Sequence, residues 1–185
     1  MQTTIIFDTE TTGLIKPKAT DIAEQPYITE IFCLKVVHDT KHFEVIGEFE
    51  SLYKVPVPLS EVITRITGLR DSDLAQAPTF GEMQPKLSEF FTGVNAMVAH
   101  NLAFDKSMLA NELVRCGKVL NFPWPPNHIC TVERTMHIEQ RRMSLTRLHE
   151  HLFKEGFPDA HRAKNDVMPL YKCFKELVQS GALSL

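Results

Sequence analysis

What most constrains this chain is the order in which its hydrophobic patterns come. Three runs rich in β-branched and aromatic residues lie before residue 51, and apolar residues recur at helical spacing only after them. The first run, TTIIFDT (3–9), reads as a buried strand that breaks at TTG (11–13). Residues 28–37 and 43–50 read as two more strands joined by a turn across His38 to His42, so an antiparallel three-strand opening is expected. LSEVITRI (59–66) follows Pro56 and Pro58 as a short helix, and Phe80 to Phe91 keeps helical spacing despite Pro85. NAMVAHN (95–101) then reads as a strand. It leads into a helix over Phe104 to Arg115, whose stripe is Phe104, Met108, Leu109 and Leu113 and whose stop is Gly117. A fifth strand is expected near HICTV (128–132), beyond the stiff loop of Pro123, Pro125 and Pro126 around Trp124. Helices follow over Ser144 to Lys154, with Ser144 as cap and Gly156 as stop, and over roughly Ala163 to Val178. Three antiparallel strands, then strands alternating with helices, imply an α/β fold: a mixed five-stranded sheet with helices on its faces.

Composition narrows the class of protein. A chain of 185 residues, 43% hydrophobic, suffices for one core, so residues 1–185 are expected to form a single domain. No apolar run approaches the ~20 residues that span a bilayer, and no basic-then-apolar segment opens the chain, so a soluble, cytoplasmic protein is expected. Cys33, Cys116, Cys130 and Cys173 are scattered with no CxxC pair, the pattern of buried reduced thiols rather than a zinc knuckle or disulfide framework. A net charge of −3 argues against coating a duplex through a broad basic face, though not against gripping a strand end.

The chemistry is concentrated in a few acids and one histidine. Asp8 and Glu10 are two apart on the first strand, so their side chains leave the same face about 7 Å apart. They stand after an apolar strand and before a glycine turn, where outward backbone N–H groups can hold a terminal hydroxyl or phosphate. Asp105 opens the helix after NAMVAHN, a place where the helix dipole welcomes an acid. His161 and Asp166, five residues apart, would diverge by roughly 140° within one helix and converge only if His161 precedes it. Gly156, Pro158 and Asp159 supply a loop that permits this. The segment Ile15 to Tyr27, long enough to overhang the first strand, is a candidate lid.

Together these segments resemble the DEDDh, or DnaQ-like, exonucleases. FDTETTGL (7–14) is similar to that family's first motif, VAHNLAFDKSML (98–109) to its second and HRAKNDV (161–167) to its third. ITGLRDSDLAQAPTFGEM (66–83) and SLTRLHEHL (144–152) are similar to the intervening segments, so the resemblance spans nearly the whole chain. Three ordered motifs coincide by chance far less often than any one of them. The resemblance implies a ribonuclease H-like fold and 3′→5′ hydrolysis of terminal phosphodiesters to 5′-mononucleotides. It also implies two divalent ions, Mg²⁺ or Mn²⁺, held by Asp8, Glu10, Asp105 and Asp166. Carried over by position, Asp8 bridges both ions, Glu10 and Asp166 hold the one that binds the attacking water, Asp105 acts on the other, and His161 is the general base.

The same resemblance puts Leu14 at a wedge between the last two bases. It puts Thr9 and Thr11 where the backbone meets the terminal 3′ hydroxyl, and Asn101 and Phe104 near the substrate strand. Phe104 also fits the core stripe of its helix. Some relatives carry histidine where this chain has Thr67 before Gly68, a departure that leaves no substrate contact to assign there. Arg141, Arg142 and Arg147 could follow a phosphate backbone or form a solvated face. The expected partner is the 3′ end of single-stranded or frayed DNA, with RNA as the alternative substrate and a polymerase or a second copy as possible protein partners. A noncatalytic replication-associated module of the same fold is the remaining alternative, although no acid and no histidine of the motifs is lost.

Overall fold

The computed structural model describes residues 1–157 and 161–184. Five strands form one sheet in the order β3-β2-β1-β4-β5: β1 Gln2–Thr11, β2 Ile28–His38, β3 Phe43–Leu52, β4 Ala96–Ala99 and β5 Asn127–Cys130. β1, β2 and β3 pair antiparallel, whereas β4 pairs parallel to β1 and β5 parallel to β4. This is the mixed sheet expected from the pattern order.

β1 is central because it is apolar on both faces. Ile5 and Phe7 pack with β2's Ile31 and Cys33 under α3 (Phe80–Phe91) and α4 (Leu102–Arg115). Ile6 packs on the opposite face with Phe32 and Leu34 beneath α6 (Leu145–Phe153) and α7 (Ala163–Gln179). Two short helices, α1 (Glu61–Thr67) and α2 (Asp71–Leu74), connect β3 to α3, and Ser60 caps α1 by accepting a hydrogen bond from Ile63 N–H. The expected turn at His38 to His42 is closed by Asp39, whose carboxylate accepts from the Lys41 and His42 N–H groups.

Local departures from the expected elements have physical causes. HICTV does not continue as a strand: β5 ends at Cys130 and α5 (Thr131–Glu139) begins at once. Its β-branched opening favours a strand, but Thr131, Val132 and Thr135 are buried on one helical face and Thr135 Oγ1 donates back to Thr131 O at 2.7 Å. α6 starts where Ser144 caps it but stops at Lys154, which takes the left-handed conformation (φ 63°), rather than at Gly156. α4 begins at Leu102, before Phe104, because Asn101 turns the chain with φ 75°, a conformation asparagine tolerates. Cys33, Cys130 and Cys173 are buried thiols as expected, and Cys116 is only half-buried. Among the described residues no helix is long and apolar enough to cross a membrane. Pro158 and Asp159, assigned above to a loop, lie outside the described residues.

α7 runs along β1 and β2, seated by Val167, Leu170, Phe174 and Leu177, all at most 1% exposed. Leu170→Ala, which opens a cavity under this helix, is expected to lower unfolding free energy by about 2–5 kcal/mol in urea titration. A loss under ~1 kcal/mol would mean that α7 repacks easily.

Candidate active site

β1 outlasts its parallel neighbour. Its pairing with β4 ends at Ile6 opposite Val98, whereas its pairing with β2 continues to Thr11. The stretch from Asp8 onward is therefore flanked by a strand on one side only, at the carboxyl end of the parallel strands, where open α/β sheets place their ligands. Asp8 and Glu10 share Ile6's face and point toward α7. Asp166, in the first turn of α7, meets them: one oxygen from each of the three carboxylates lies within 4.8 Å of the others. Asp105 arrives from the opposite face in the first turn of α4, only 2% exposed, and accepts from Thr9 N–H at 3.1 Å and Thr9 Oγ1 at 2.8 Å.

Such convergence disfavours ionisation. Asp8 is walled in by protein, with part of its surface open to the cleft; burial, then the charges of Asp105, Glu10 and Asp166, hold its carboxyl well above the usual range. Glu10 is pushed up to about 8 by burial and then by Asp166, Glu30 and Asp105, with Arg162 opposing. Burial also raises Asp105, moderated by its hydrogen bonds from Thr9, and raises Asp166, moderated by the His161 N–H. Each pair of like charges at such separations repels by about 1 kcal/mol even in water, and by more behind protein walls. Divalent cations favour carboxylate oxygens, so this donor set fits one and would relieve the repulsion.

His161 precedes α7, as the spacing required. It has φ 74°, its side chain is exposed, and its N–H donates to Asp166 Oδ2 at 2.8 Å. What locks this corner was not anticipated. Glu30 of β2, opposite Glu10 in register, is 1% exposed and takes both Nε and Nη2 of Arg162 at 2.9 and 2.8 Å, together with the Ala163 N–H at 3.2 Å. Glu30 thus fastens the residue between His161 and α7 to the sheet. The sequence signal was an acid inside the otherwise apolar run ITEIFCLKVV.

The remaining candidates divide. Thr9 Oγ1 is spent on Asp105, and Thr11 Oγ1 donates to Gly13 O at 2.7 Å, bracing the turn that carries Leu14, which stands 79% exposed. Phe104 is half-buried against the core, and Asn101 Oδ1 accepts from Arg142 at 2.8 Å. Thr67 is buried, with its hydroxyl donating to Ile63 O and accepting from Leu69 N–H. The segment read as a lid is moored: Arg115 Nη2 donates to Ile22, Gln25 and Pro26 carbonyls at 2.7–3.0 Å, its guanidinium lies 3.8 Å from the centre of the Tyr27 ring, and Glu112 pairs with it at 2.9 Å.

The family model described as Exonuclease, RNase_T, matches residues 5–174. The chain belongs to this exonuclease family. Its fold is the ribonuclease H-like fold of that family, and its relatives include DnaQ-like exonuclease segments. A DNA polymerase III PolC-type protein of Caldanaerobacter subterraneus is 29% identical over 177 residues, which is 95% of this chain but 11% of the polymerase. The chain thus spans about a tenth of the length of that relative. Among solved structures, exonuclease X in complex with 5′-overhanging duplex DNA superposes with a TM-score of 0.68 at 20% identity, covering 98% of this chain and 94% of that one. A 3′-exonuclease recognising a histone mRNA stem-loop gives 0.73 at 15% identity, covering 98% of this chain and 65% of the other.

Two outcomes follow from the site electrostatics. A folded pKa near 8 for Glu10, against 4.5 in the unfolded chain, is a stabilisation complete below 4.5 and lost as pH rises through 8. In EDTA, the melting temperature is therefore expected to fall from pH 5 to pH 9, and Glu10→Gln should flatten that fall; identical profiles would remove Glu10 as its source. Glu30→Ala is expected to destabilise by about 2–3 kcal/mol. A double-mutant cycle with Arg162→Ala should show coupling, and strict additivity would show that the pair contributes nothing.

Proposed function

We propose that this domain is a divalent-metal-dependent 3′→5′ exonuclease that removes 5′-mononucleotides from the end of a single-stranded or frayed DNA strand. The observation that carries the reading is the convergence of Asp8, Glu10 and Asp166 within 4.8 Å at the open end of β1, with Asp105 tethered beside them. Asp8, Glu10 and Asp166, with Asp105 adjoining, would hold two ions, and the hard oxygen donors suit Mg²⁺ or Mn²⁺. When bound, these cations supply positive charge that stabilises the attacking oxygen and the departing 3′ oxygen.

The chain's own groups do the rest. His161, at the exposed lip, takes the proton of the attacking water as the new bond to phosphorus forms. The P–O3′ bond breaks, the shortened strand keeps its 3′ oxygen, and the released nucleotide keeps the 5′ phosphate. His161 is held in the left-handed region just ahead of α7, and the His161 N–H to Asp166 bond ties base and acid into one unit. Leu14, exposed on the turn just beyond β1, would be the apolar surface on which a terminal base rests, and Asn101, just before α4, and Phe104, next to Asp105 on it, would lie beside the substrate strand.

The similarity to a segment of a DNA polymerase III supports DNA as the substrate and a polymerase as a partner. A second reading, RNA as substrate, is supported by the superposition on the exonuclease of the histone mRNA stem-loop.

The deciding panel uses 5′-labelled single-stranded DNA, duplex, mismatched duplex and RNA, each with Mg²⁺ and with EDTA. Stepwise shortening from the 3′ end of DNA in Mg²⁺ alone is expected, and faster shortening of RNA would select the second reading. Asp8→Asn should abolish turnover with the circular dichroism spectrum unchanged, and undiminished cleavage would remove Asp8 from the site. His161→Ala should lower kcat by about 10²–10⁴ while leaving Mg²⁺ protection against thermal unfolding intact. An unchanged kcat, with chemistry limiting, would refute the assignment of the base.

A further inference from the structure

Arg141 and Arg142 lie between α5 and α6 and Arg147 in the first turn of α6, yet the fold treats the three differently. Glu139 neutralises two of them. Its Oε2 accepts from Arg141 Nε and Nη2 at 3.0 and 2.8 Å, and its Oε1 accepts from Arg147 Nε at 2.9 Å. Arg142 is turned the other way. Gln140 takes the left-handed conformation (φ 55°), and the chain beyond it is fastened to the end of β4 by two successive contacts. His100 Nε2 donates to Met143 O at 3.0 Å, and Arg142 Nη2 donates to Asn101 Oδ1 at 2.8 Å. Among the described residues Arg142 joins no ion pair, so its one described hydrogen-bond partner is a neutral amide.

The place where this unneutralised cation is held matters. Asn101 immediately precedes α4, and Asp105 lies four residues along it, about one helical turn or ~5.4 Å further on. A guanidinium carries five N–H donors in a rigid fork, and the contact with Asn101 uses one. The side chain is exposed, and its contact with Asn101 ties it to the end of α4 that carries Asp105. A bidentate match to a phosphate is what such a fork provides.

We propose that Arg142 grips an internucleotide phosphate of the substrate strand, upstream of the bond being hydrolysed, with Asn101 holding the guanidinium in place. This rests on the exonuclease reading above and deepens it. The carboxylates act on the terminal phosphodiester, and Arg142 recognises that the terminus belongs to a strand. Arg141 and Arg147, tied to Glu139, have no such part.

The test compares two substrates in Mg²⁺: a 5′-labelled single-stranded DNA oligonucleotide, and the p-nitrophenyl ester of thymidine 5′-monophosphate, which has no upstream phosphate. Arg142→Ala is expected to raise KM for the oligonucleotide about tenfold and leave kcat/KM for the ester unchanged. It should also lower the slope of log KM against log salt by about 1. Arg142→Lys should recover part of the loss, and Arg141→Ala should match the parent chain. Equal losses on both substrates would overturn the proposal in favour of a role in bracing α4, and an unaltered oligonucleotide KM would overturn it outright. Fluorescence anisotropy of the labelled oligonucleotide with Asp8→Asn, with and without Arg142→Ala, reads the same contact without turnover. If no chain hydrolyses either substrate, the exonuclease reading fails by itself; if oligonucleotide binding does not weaken on Arg142→Ala, the phosphate contact fails by itself.

Discussion

Carboxylates that repel one another are held together here by a strand that has lost one neighbour. β4 pairs with β1 only as far as Ile6, and the acids begin two residues later. Were β4 longer, the backbone beside Asp8 would be capped and no cleft would exist there. Were β1 shorter, Asp8 and Glu10 would sit in a solvated turn, where their charges would be screened. The geometry keeps both acids rigid and partly desolvated, so the protein stores an electrostatic penalty that a cation can release.

The rest of the molecule keeps that penalty from dispersing. Two hydrophobic layers fix α4 and α7 on opposite faces of the sheet, and each contributes its acid from its first turn. Thr9 holds Asp105 with two hydrogen bonds, and Glu30 fixes the corner before α7 through Arg162 and the Ala163 N–H. Glu30 is itself a buried acid and adds to the charge bearing on Glu10, but it is paired with a guanidinium and also braces the corner before α7. Arg115 plays the equivalent part for the segment that leads from Leu14 to β2. Rigid supports under an exposed lip suit a site whose chemistry depends on positions already set before substrate arrives.

Much of this was legible in the chain. Strand and helix periods announced the mixed sheet, and the rotation between His161 and Asp166 required His161 to stand ahead of its helix, where it is found. α5 was not legible, because TVERT opens with residues that favour strands and becomes helical only once Val132 and Thr135 have a core to face. The roles of Glu30 and Arg162 were not legible either: 132 positions separate them, and no local pattern reports which distant acid an arginine will meet.

The sequence by itself determined the fold class and singled out acids that the fold then brings together, because periodicity and motif spacing are local properties written along the chain. Which of Arg141, Arg142 and Arg147 meet an acid among the described residues, which threonines are spent on hydrogen bonds and which segment is moored were decided only by tertiary structure. Those outcomes depend on competition for partners in space. Glu139 can satisfy Arg141 and Arg147 at once, and among the described residues that competition leaves Arg142 with Asn101 and no acid as its partner.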